Sequence, residues 1–166
     1  MKVIFLDIDG VLNSRSSAKA LGGYPHKLSQ MSKFDKVALG LIRKLVKQTG
    51  AKVVISSTWR STFTTEEFSK AFKVPVIGKT VNSAHGHRGE EIAEYLSANP
   101  EVTDYVIIDD DIDMLEEQFK NFVRTNYLVG FTLFNYVKAC RILGSPDEEL
   151  ENHLKSWEIF STKDHL

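Results

Sequence analysis

The chain has 166 residues, and its hydrophobic fraction of 42% and charged fraction of 26% are typical of a folded globular protein. This composition excludes a disordered or collagen-like chain, and the length favours a single domain over residues 1–166. The 21 Lys and Arg residues nearly cancel the 22 Asp and Glu residues, so the net charge of −1 provides no global attraction to nucleic acid. The single cysteine, Cys140, excludes an internal disulfide and fits a reducing compartment.

The N-terminal apolar segment is too short for a membrane anchor or an export signal. Residues 3–6 are apolar, but Asp7 and Asp9 interrupt the run, and no stretch approaches the roughly 20 apolar residues that span a bilayer. We therefore expect a cytoplasmic protein with no membrane partner. A short apolar run with β-branched residues that stops at polar residues predicts instead a buried parallel strand.

Strand and helix signals alternate after this first strand. Short apolar runs predict further strands over residues 51–55, 74–77, 105–108 and 122–124. Apolar residues at helical spacing predict helices over residues 34–46, 64–72, 88–97, 112–119, 132–143 and 145–157. This alternation predicts an α/β fold in which helices cover both faces of a parallel sheet.

Local signals predict several of these boundaries. Gly50 is placed to end the helix that begins near residue 34, and Pro75 puts the short strand around it near a sheet edge because proline cannot donate to a neighbouring strand. Pairs at capping-box spacing predict two helix starts: Thr64 with Glu67, and Ser145 with Glu148. Pro146 would then lie in the first turn of the last helix.

Three predicted strands end in polar residues that we expect to meet at one edge of the sheet. The first gives Asp7 and Asp9, the second Ser56, and the fourth Asp109 and Asp110. Open α/β sheets bind ligands beyond the carboxyl ends of their strands, and neighbouring carboxylates repel one another unless a cation is present. Oxygen ligands of this kind suit Mg²⁺. The sequence therefore predicts an acidic magnesium site with a hydroxyl donor beside it, which fits phosphoryl chemistry.

Four short motifs around these residues resemble those of the haloacid dehalogenase (HAD) superfamily. Residues 5–11 (Phe-Leu-Asp-Ile-Asp-Gly-Val) resemble its first motif, and residues 53–56 (Val-Val-Ile-Ser) resemble its second. Residues 106–110 (Val-Ile-Ile-Asp-Asp) resemble the fourth motif, and Arg88 opens the preceding helix, where the third motif has a Lys or Arg. The motifs occur in the family's order over residues 1–125.

The sequence around two of the motifs is most similar to that of small HAD domains associated with RNA repair and phage. These segments are Ser-Ser-Thr-Trp-Arg at residues 56–60 and Arg-Gly-Glu-Glu-Ile at residues 88–92. The resemblance implies a three-layer Rossmann-like fold with a minimal cap or none. In that arrangement residues 11–33 would form a flap or small insertion, and residues 130–166 would form C-terminal helices.

The resemblance also implies a Mg²⁺-dependent phosphatase that works through an aspartyl-phosphate. Asp7 would be the nucleophile, and Asp9 would protonate the leaving oxygen and later activate water. Ser56 would donate a hydrogen bond to a phosphoryl oxygen, and Arg88 would neutralise charge on the phosphate. The implied metal ligands are Asp7, Asp110 and the backbone carbonyl of Asp9, with Asp109 as a further ligand or as a partner of the ligands. The expected substrate contacts are Gly10, Ser57, Arg60 and Lys79.

Two of these assignments have alternatives: the residue of the third motif and the role of Arg60. Lys79 competes with Arg88 for the third-motif role, because the family more commonly has lysine there. Arg60 could reach a phosphate, or Trp59 beside it could simply pack on the edge of the sheet.

Two other metal patterns fail. The spacing of Asp109, Asp111 and Asp113 matches a calcium loop, but the required Gly and Glu are missing, so we expect the last two to begin the next helix. His85 and His87 have no companion cysteine or nearby third histidine, and we interpret them as part of an exposed loop.

The substrate class has alternatives. Residues 11–33 are basic, which suits a polyanion such as a nucleotide or the phosphorylated end of a nucleic acid: Arg15, Lys19, His26, Lys27 and Lys33. A small phosphorylated metabolite under a closing flap is the second enzyme hypothesis. A receiver-like phosphoacceptor module is a third, disfavoured because receivers have their acidic pair on the first strand.

Overall fold

The computed structural model of the protein describes residues 1–82 and 86–163. Within them, five parallel strands form one sheet: β1 (Lys2–Leu6), β2 (Lys52–Ile55), β3 (Val76–Lys79), β4 (Asp104–Asp109) and β5 (Phe122–Arg124). Their order is β3-β2-β1-β4-β5, which puts β1 at the centre and β3 at an edge. The predicted parallel α/β sheet is therefore confirmed, including the edge position of the strand near Pro75.

Six α-helices accompany the sheet in the described residues: α1 (Arg15–Leu21), α2 (Lys36–Thr49), α3 (Thr65–Phe72), α4 (Arg88–Ala98), α5 (Leu133–Ile142) and α6 (Glu148–Lys163). None of the helices in the described part of the chain is long and apolar enough to cross a bilayer.

Alternate residues of β1 face two separate helical layers. Ile4 and Leu6 belong to the larger core, which includes buried residues of α2, α3 and α5. Val3 and Phe5 belong to the smaller core, together with Ile92 of α4. All of these side chains are fully buried. Because both faces of the strand are covered, β1 is continuously apolar instead of alternating between apolar and polar residues.

The predicted signals for helix ends agree with the structure at two places. The backbone N–H of Glu67 donates to Thr64 Oγ1 (3.2 Å), and the N–H of Thr64 donates back to Glu67 Oε2 (2.8 Å), which completes the capping box of α3. Gly50 follows α2 with φ of 69°, a left-handed conformation that glycine adopts without a steric penalty.

The predicted start of the last helix is wrong. α6 begins at Glu148, and the carboxylate of Asp147 accepts a hydrogen bond from the N–H of Leu150 (3.3 Å). The hydroxyl of Ser145 instead accepts a hydrogen bond from Lys2 Nζ (2.9 Å), so it is tied to the first strand and does not cap the helix. Pro146 therefore precedes the helix and does not lie in its first turn.

The helix predicted over residues 112–119 is also wrong. The segment after β4 is a loop, followed by a 3₁₀ helix over Glu116–Asn121. Asp113 does not begin a helix of its own, because its carboxylate accepts a hydrogen bond from the backbone N–H of Arg88 (2.8 Å). The backbone N–H of Asp111 likewise takes no part in a helix here, because it donates to Asp109 Oδ1 (3.0 Å). Asp113 thus caps α4, a helix that lies earlier in the sequence.

Residues 11–33, the segment predicted to be a flap or small insertion, contain little regular secondary structure. The segment contains α1, whose buried residues are only Ser17 and Ala18, and a 3₁₀ turn over Met31–Lys33. Such small buried side chains leave no apolar periodicity, which explains why the sequence did not predict α1. Of the two histidines interpreted as loop residues, His87 is exposed, and His85 lies outside the described residues.

Replacing a phenylalanine of the larger core should destabilise the protein far more than replacing an exposed one. Phe72 is fully buried, and its ring packs against that of Phe34 with centroids 5.6 Å apart. Phe72→Ala should lower the free energy of unfolding by about 3–5 kcal/mol, because it removes transfer energy and leaves a cavity. Phe134 is 71% exposed, so Phe134→Ala should change it by less than about 0.5 kcal/mol. Urea denaturation measures both values, and equal losses would contradict this description of the core.

Candidate active site

Strand pairing brings the two acidic motifs together. β1 and β4 are adjacent and parallel, with Leu6 opposite Ile108, so the residues that follow each strand emerge side by side. The backbone N–H of Asp7 donates to the carbonyl of Ile108 (3.0 Å), and the N–H of Ser56 donates to that of Leu6 (3.0 Å). A cleft of about 800 Å³ opens at this carboxyl edge of the sheet. The residues that follow β1, β2 and β4 therefore meet at one edge of the sheet, as expected, and a cleft opens there.

Three carboxylates form a compact cluster in this cleft. Oxygen atoms of Asp7, Asp109 and Asp110 lie within 4.8 Å of one another. Burial, with added repulsion from Asp109, raises the pKa of the Asp7 carboxyl well above its usual range, although Arg88 and a hydrogen bond from Ser57 oppose the rise. Burial likewise raises the pKa of Asp109 to about 6.

A divalent cation fits this cluster. Burial disfavours the charged form of each carboxylate, and a cation bound between them would offset that cost. The donors are all oxygen atoms, the set that Mg²⁺ prefers. Two further buried oxygens, Oδ1 of Asn13, which lines the cleft, and Oγ of Ser56, which follows β2, have no hydrogen-bond partner among the described residues. The chemistry of the donors therefore supports the magnesium expectation.

Gly10 allows the loop after β1 to lie against Asp110. Its φ is +73°, and a Cβ atom there would be 2.4 Å from Cγ of Asp110, which no real side chain tolerates. The carbonyl of Gly10 accepts a hydrogen bond from the hydroxyl of Thr125 (2.9 Å), which fixes the loop from the other side. The positive φ and the close approach to the carboxylate of Asp110 both favour glycine at this position.

Asp109 and Asp110 differ in what their carboxylates contact. Asp109 accepts a hydrogen bond at Oδ2 from Arg88 Nε (3.0 Å) and one at Oδ1 from the N–H of Asp111 (3.0 Å). Asp110 lines the open cleft and is only partly buried. Both oxygens of Asp109 therefore already have protein partners, whereas Asp110 faces the space in which a ligand would bind.

Arg88 supplies positive charge at the cluster, and Lys79 does not. The guanidinium of Arg88 contacts Asp109 and also lies 3.6 Å from Oδ1 of Asp7. Of the described residues that line the cleft, Arg88 alone is an arginine or lysine. Lys79, at the end of β3, donates through Nζ to the backbone carbonyls of Arg60 (2.7 Å) and Phe63 (3.0 Å). Its ammonium group is therefore occupied in supporting a loop.

Of the other expected contacts, Ser57 hydrogen-bonds to Asp7 through its side chain, while Ser56 is fully buried at the end of β2. The structure does not bring the guanidinium of Arg60 into the cleft. Arg60 is buried and donates to the carbonyl of Ser56 (3.1 Å) and to Glu91 Oε1 (2.6 Å). The expectation that Arg60 contacts a phosphate is corrected to a supporting contact beneath the serine loop.

Two residues that hold Asp9 were not predicted. The indole Nε1 of Trp59 donates to Asp9 Oδ2 (2.9 Å), and Asn13 Nδ2 donates to Asp9 Oδ1 (2.8 Å). Trp59 also packs against Phe34, with ring centroids 5.7 Å apart, so packing and hydrogen bonding act together. The Trp59 contact joins residues 50 positions apart through a 3₁₀ turn, and no local sequence signal indicates it.

Comparison with known proteins agrees with this geometry. No curated protein and no solved structure is significantly similar to the chain. A family model, described as the HAD domain in Swiss Army Knife RNA repair proteins, matches residues 3–135, which include all four predicted motifs. The resemblance inferred from the sequence is confirmed, and the chain belongs to this family of HAD domains.

Proposed function

We propose that this protein is a Mg²⁺-dependent phosphomonoesterase that removes a terminal phosphate from a nucleic acid or nucleotide through an aspartyl-phosphate on Asp7. The observation that carries the proposal is the environment of Asp7. Its carboxylate lies in an acidic cluster that suits a cation, 3.6 Å from the guanidinium of Arg88 and two residues before a second carboxylate. Membership of a HAD family found in RNA repair proteins supports a phosphatase-type hydrolase.

The first half of the reaction uses Asp7 and Asp9 in separate roles. A carboxylate oxygen of Asp7 attacks phosphorus, and the bond from phosphorus to the leaving oxygen breaks while Asp9 gives that oxygen a proton. In the second half, a water molecule gives a proton to Asp9 and attacks the same phosphorus, and the bond from phosphorus to the Asp7 oxygen breaks, which releases inorganic phosphate and restores the Asp7 carboxylate. The hydrogen bonds from Trp59 and Asn13 would keep the Asp9 carboxylate in one orientation for both transfers.

Arg88 and the serines would stabilise charge on the transferred group. The Arg88 guanidinium donates to phosphoryl oxygens, and the Ser56 hydroxyl, which has no partner among the described residues, is available for the same purpose. Mg²⁺, held by Asp7, Asp110 and the backbone carbonyl of Asp9, would neutralise further negative charge on these oxygens when it is bound. Asp109 would act as a positioning residue, because it is buried behind the cleft lining and its carboxylate holds the side chain of Arg88 and the N–H of Asp111.

The two catalytic acids should fail in different ways. Asp7→Asn should abolish phosphate release from a phosphorylated oligonucleotide, because no nucleophile remains. Asp9→Asn should slow release by about 10²–10⁴-fold, the usual effect of losing a general acid–base. Asp104→Asn is the matched control, since this exposed residue lies at the amino end of β4, whereas the cleft lies at the carboxyl ends of the strands. Near-native turnover by Asp7→Asn would show that the nucleophile is another group.

Magnesium should stabilise the folded protein through Asp110. At a concentration 100 times the dissociation constant, a ligand that binds only the folded state adds about 2.7 kcal/mol, which raises the melting temperature. Asp110→Asn should lose this increase, while its stability in EDTA should not fall, because one repelling charge has been removed. Differential scanning calorimetry with and without Mg²⁺ measures both effects. An unchanged magnesium response in Asp110→Asn would remove this residue from the ligand set.

The positive charge of the site should depend on Arg88 and not on Lys79. Arg88→Ala should lower kcat/KM by about 10²-fold or more, as expected for a charged group that acts in the transition state. Lys79→Ala should lower it by less than about tenfold, because Lys79 Nζ donates to the backbone carbonyls of Arg60 and Phe63 and the lysine does not line the cleft. Steady-state kinetics on both variants, with folding checked by circular dichroism, gives the ranking. The reverse order would assign the third-motif role to Lys79.

A further inference from the structure

Two exposed tyrosines form part of the outer wall of the cleft. Tyr24 lies in the loop after α1 and Tyr127 in the turn after β5, and both line the same cleft of about 800 Å³ as Asp7. Tyr24 is 38% exposed and Tyr127 is 57% exposed. Neither ring belongs to the two buried cores, so packing inside the protein does not explain why large aromatic groups occupy these positions.

The turn that carries Tyr127 is fixed by hydrogen bonds. Asn126 accepts at Oδ1 from the N–H of Leu128 (2.8 Å) and at its backbone carbonyl from the N–H of Gly130 (2.8 Å). The carbonyl of Tyr127 itself accepts from the backbone N–H of Arg15 at the start of α1 (2.9 Å). The turn is therefore attached to the segment that also carries Tyr24. Aromatic groups held in advance bind a ligand with a small entropic cost.

The same segment concentrates positive charge. Residues 11–33 contain four Arg and Lys residues and no Asp or Glu, although the whole chain has a net charge of −1. Three of these cations are exposed: Arg15, Lys19 and Lys27. Lys27 directly follows His26, which lines the cleft. A segment with a charge of +4 that also contributes Tyr24 and His26 to the cleft complements a polyanion with several phosphates better than a small metabolite with a single phosphate.

We propose that Tyr24 and Tyr127 form a base-stacking subsite for the end of a single-stranded nucleic acid. The adjoining backbone phosphates would lie against the basic residues of the segment 11–33. This inference rests on the proposed function, because the terminal phosphate of the strand would occupy the site at Asp7. An unpaired terminal base can turn out of the strand and offer either face to an aromatic side chain, whereas a paired base at a blunt duplex end offers only its outer face, so the subsite favours a single strand.

Binding, measured without turnover, tests the subsite directly. The protein carries Asp7→Asn so that the substrate is not consumed, and fluorescence anisotropy reports binding of a short single-stranded RNA with a terminal phosphate in the presence of Mg²⁺. Tyr127→Ala and Tyr24→Ala should each weaken binding by about 5- to 100-fold, the range for the loss of base stacking. Phe134→Ala is the matched control, since its exposed ring lies outside the cleft.

An RNA that lacks its terminal base separates stacking from other effects. The abasic strand should bind the parent protein more weakly by a similar factor and should be insensitive to Tyr127→Ala. Tyr127→Trp should restore binding of the intact strand, which a general loss of folding in the alanine variant could not do. Equal sensitivity of the intact and abasic strands to Tyr127→Ala would overturn the stacking assignment.

Two further outcomes keep this inference distinct from the proposed function. If tyrosine-dependent, base-dependent binding is found but the native protein releases no phosphate from the strand, the subsite stands and the proposed reaction is wrong. If the native protein releases phosphate but both tyrosine variants bind the intact strand as the parent does, the reaction stands and the subsite is wrong. Tighter tyrosine-dependent binding of a phosphotyrosine peptide than of RNA would replace the nucleic acid with a protein partner.

Discussion

Repulsion among buried carboxylates is the constraint on which the rest of the site depends. Asp7, Asp109 and Asp110 approach within 4.8 Å because β1 and β4 are neighbours in the sheet, and burial makes their charged forms costly. Arg88 offsets part of this cost through its contacts with Asp109 and Asp7. The remaining excess of negative charge would favour a bound cation, and the cation and the guanidinium together would make the pocket attractive to a phosphate dianion.

The position of Arg88 in turn depends on the loop after β4. Asp113 accepts a hydrogen bond from the backbone N–H of Arg88, and Asp109 accepts one from its side chain. The first turn of α4 is also packed tightly, because a Cβ atom at Gly89 would lie 2.6 Å from the backbone nitrogen of Leu115. The acidic loop therefore fixes the helix that carries the Arg88 guanidinium, so the segments predicted as the third and fourth motifs are held together although they are separated in sequence.

The sequence predicted those features that depend on local patterns. Apolar runs identified all five strands, and the acids that follow β1 and β4 had to meet once those strands were parallel neighbours. Contacts between distant segments were not predictable in this way. The link from Trp59 to Asp9 and the burial of Arg60 against Glu91 depend on how a 3₁₀ turn folds back over the sheet. Local rules failed where a tertiary partner competed for the same group, as Lys2 does for the hydroxyl of Ser145.

Identification of the phosphorylated residue is the most direct test of the central claim. The native protein is mixed with a phosphorylated oligonucleotide, quenched during turnover and treated with borohydride, which reduces an acyl phosphate to an alcohol. Peptide mapping by mass spectrometry then locates the modified residue. The account predicts homoserine in place of Asp7, formed only when substrate is present and missing in Asp7→Asn protein. Modification of another residue, or none in a protein that turns over, would contradict it.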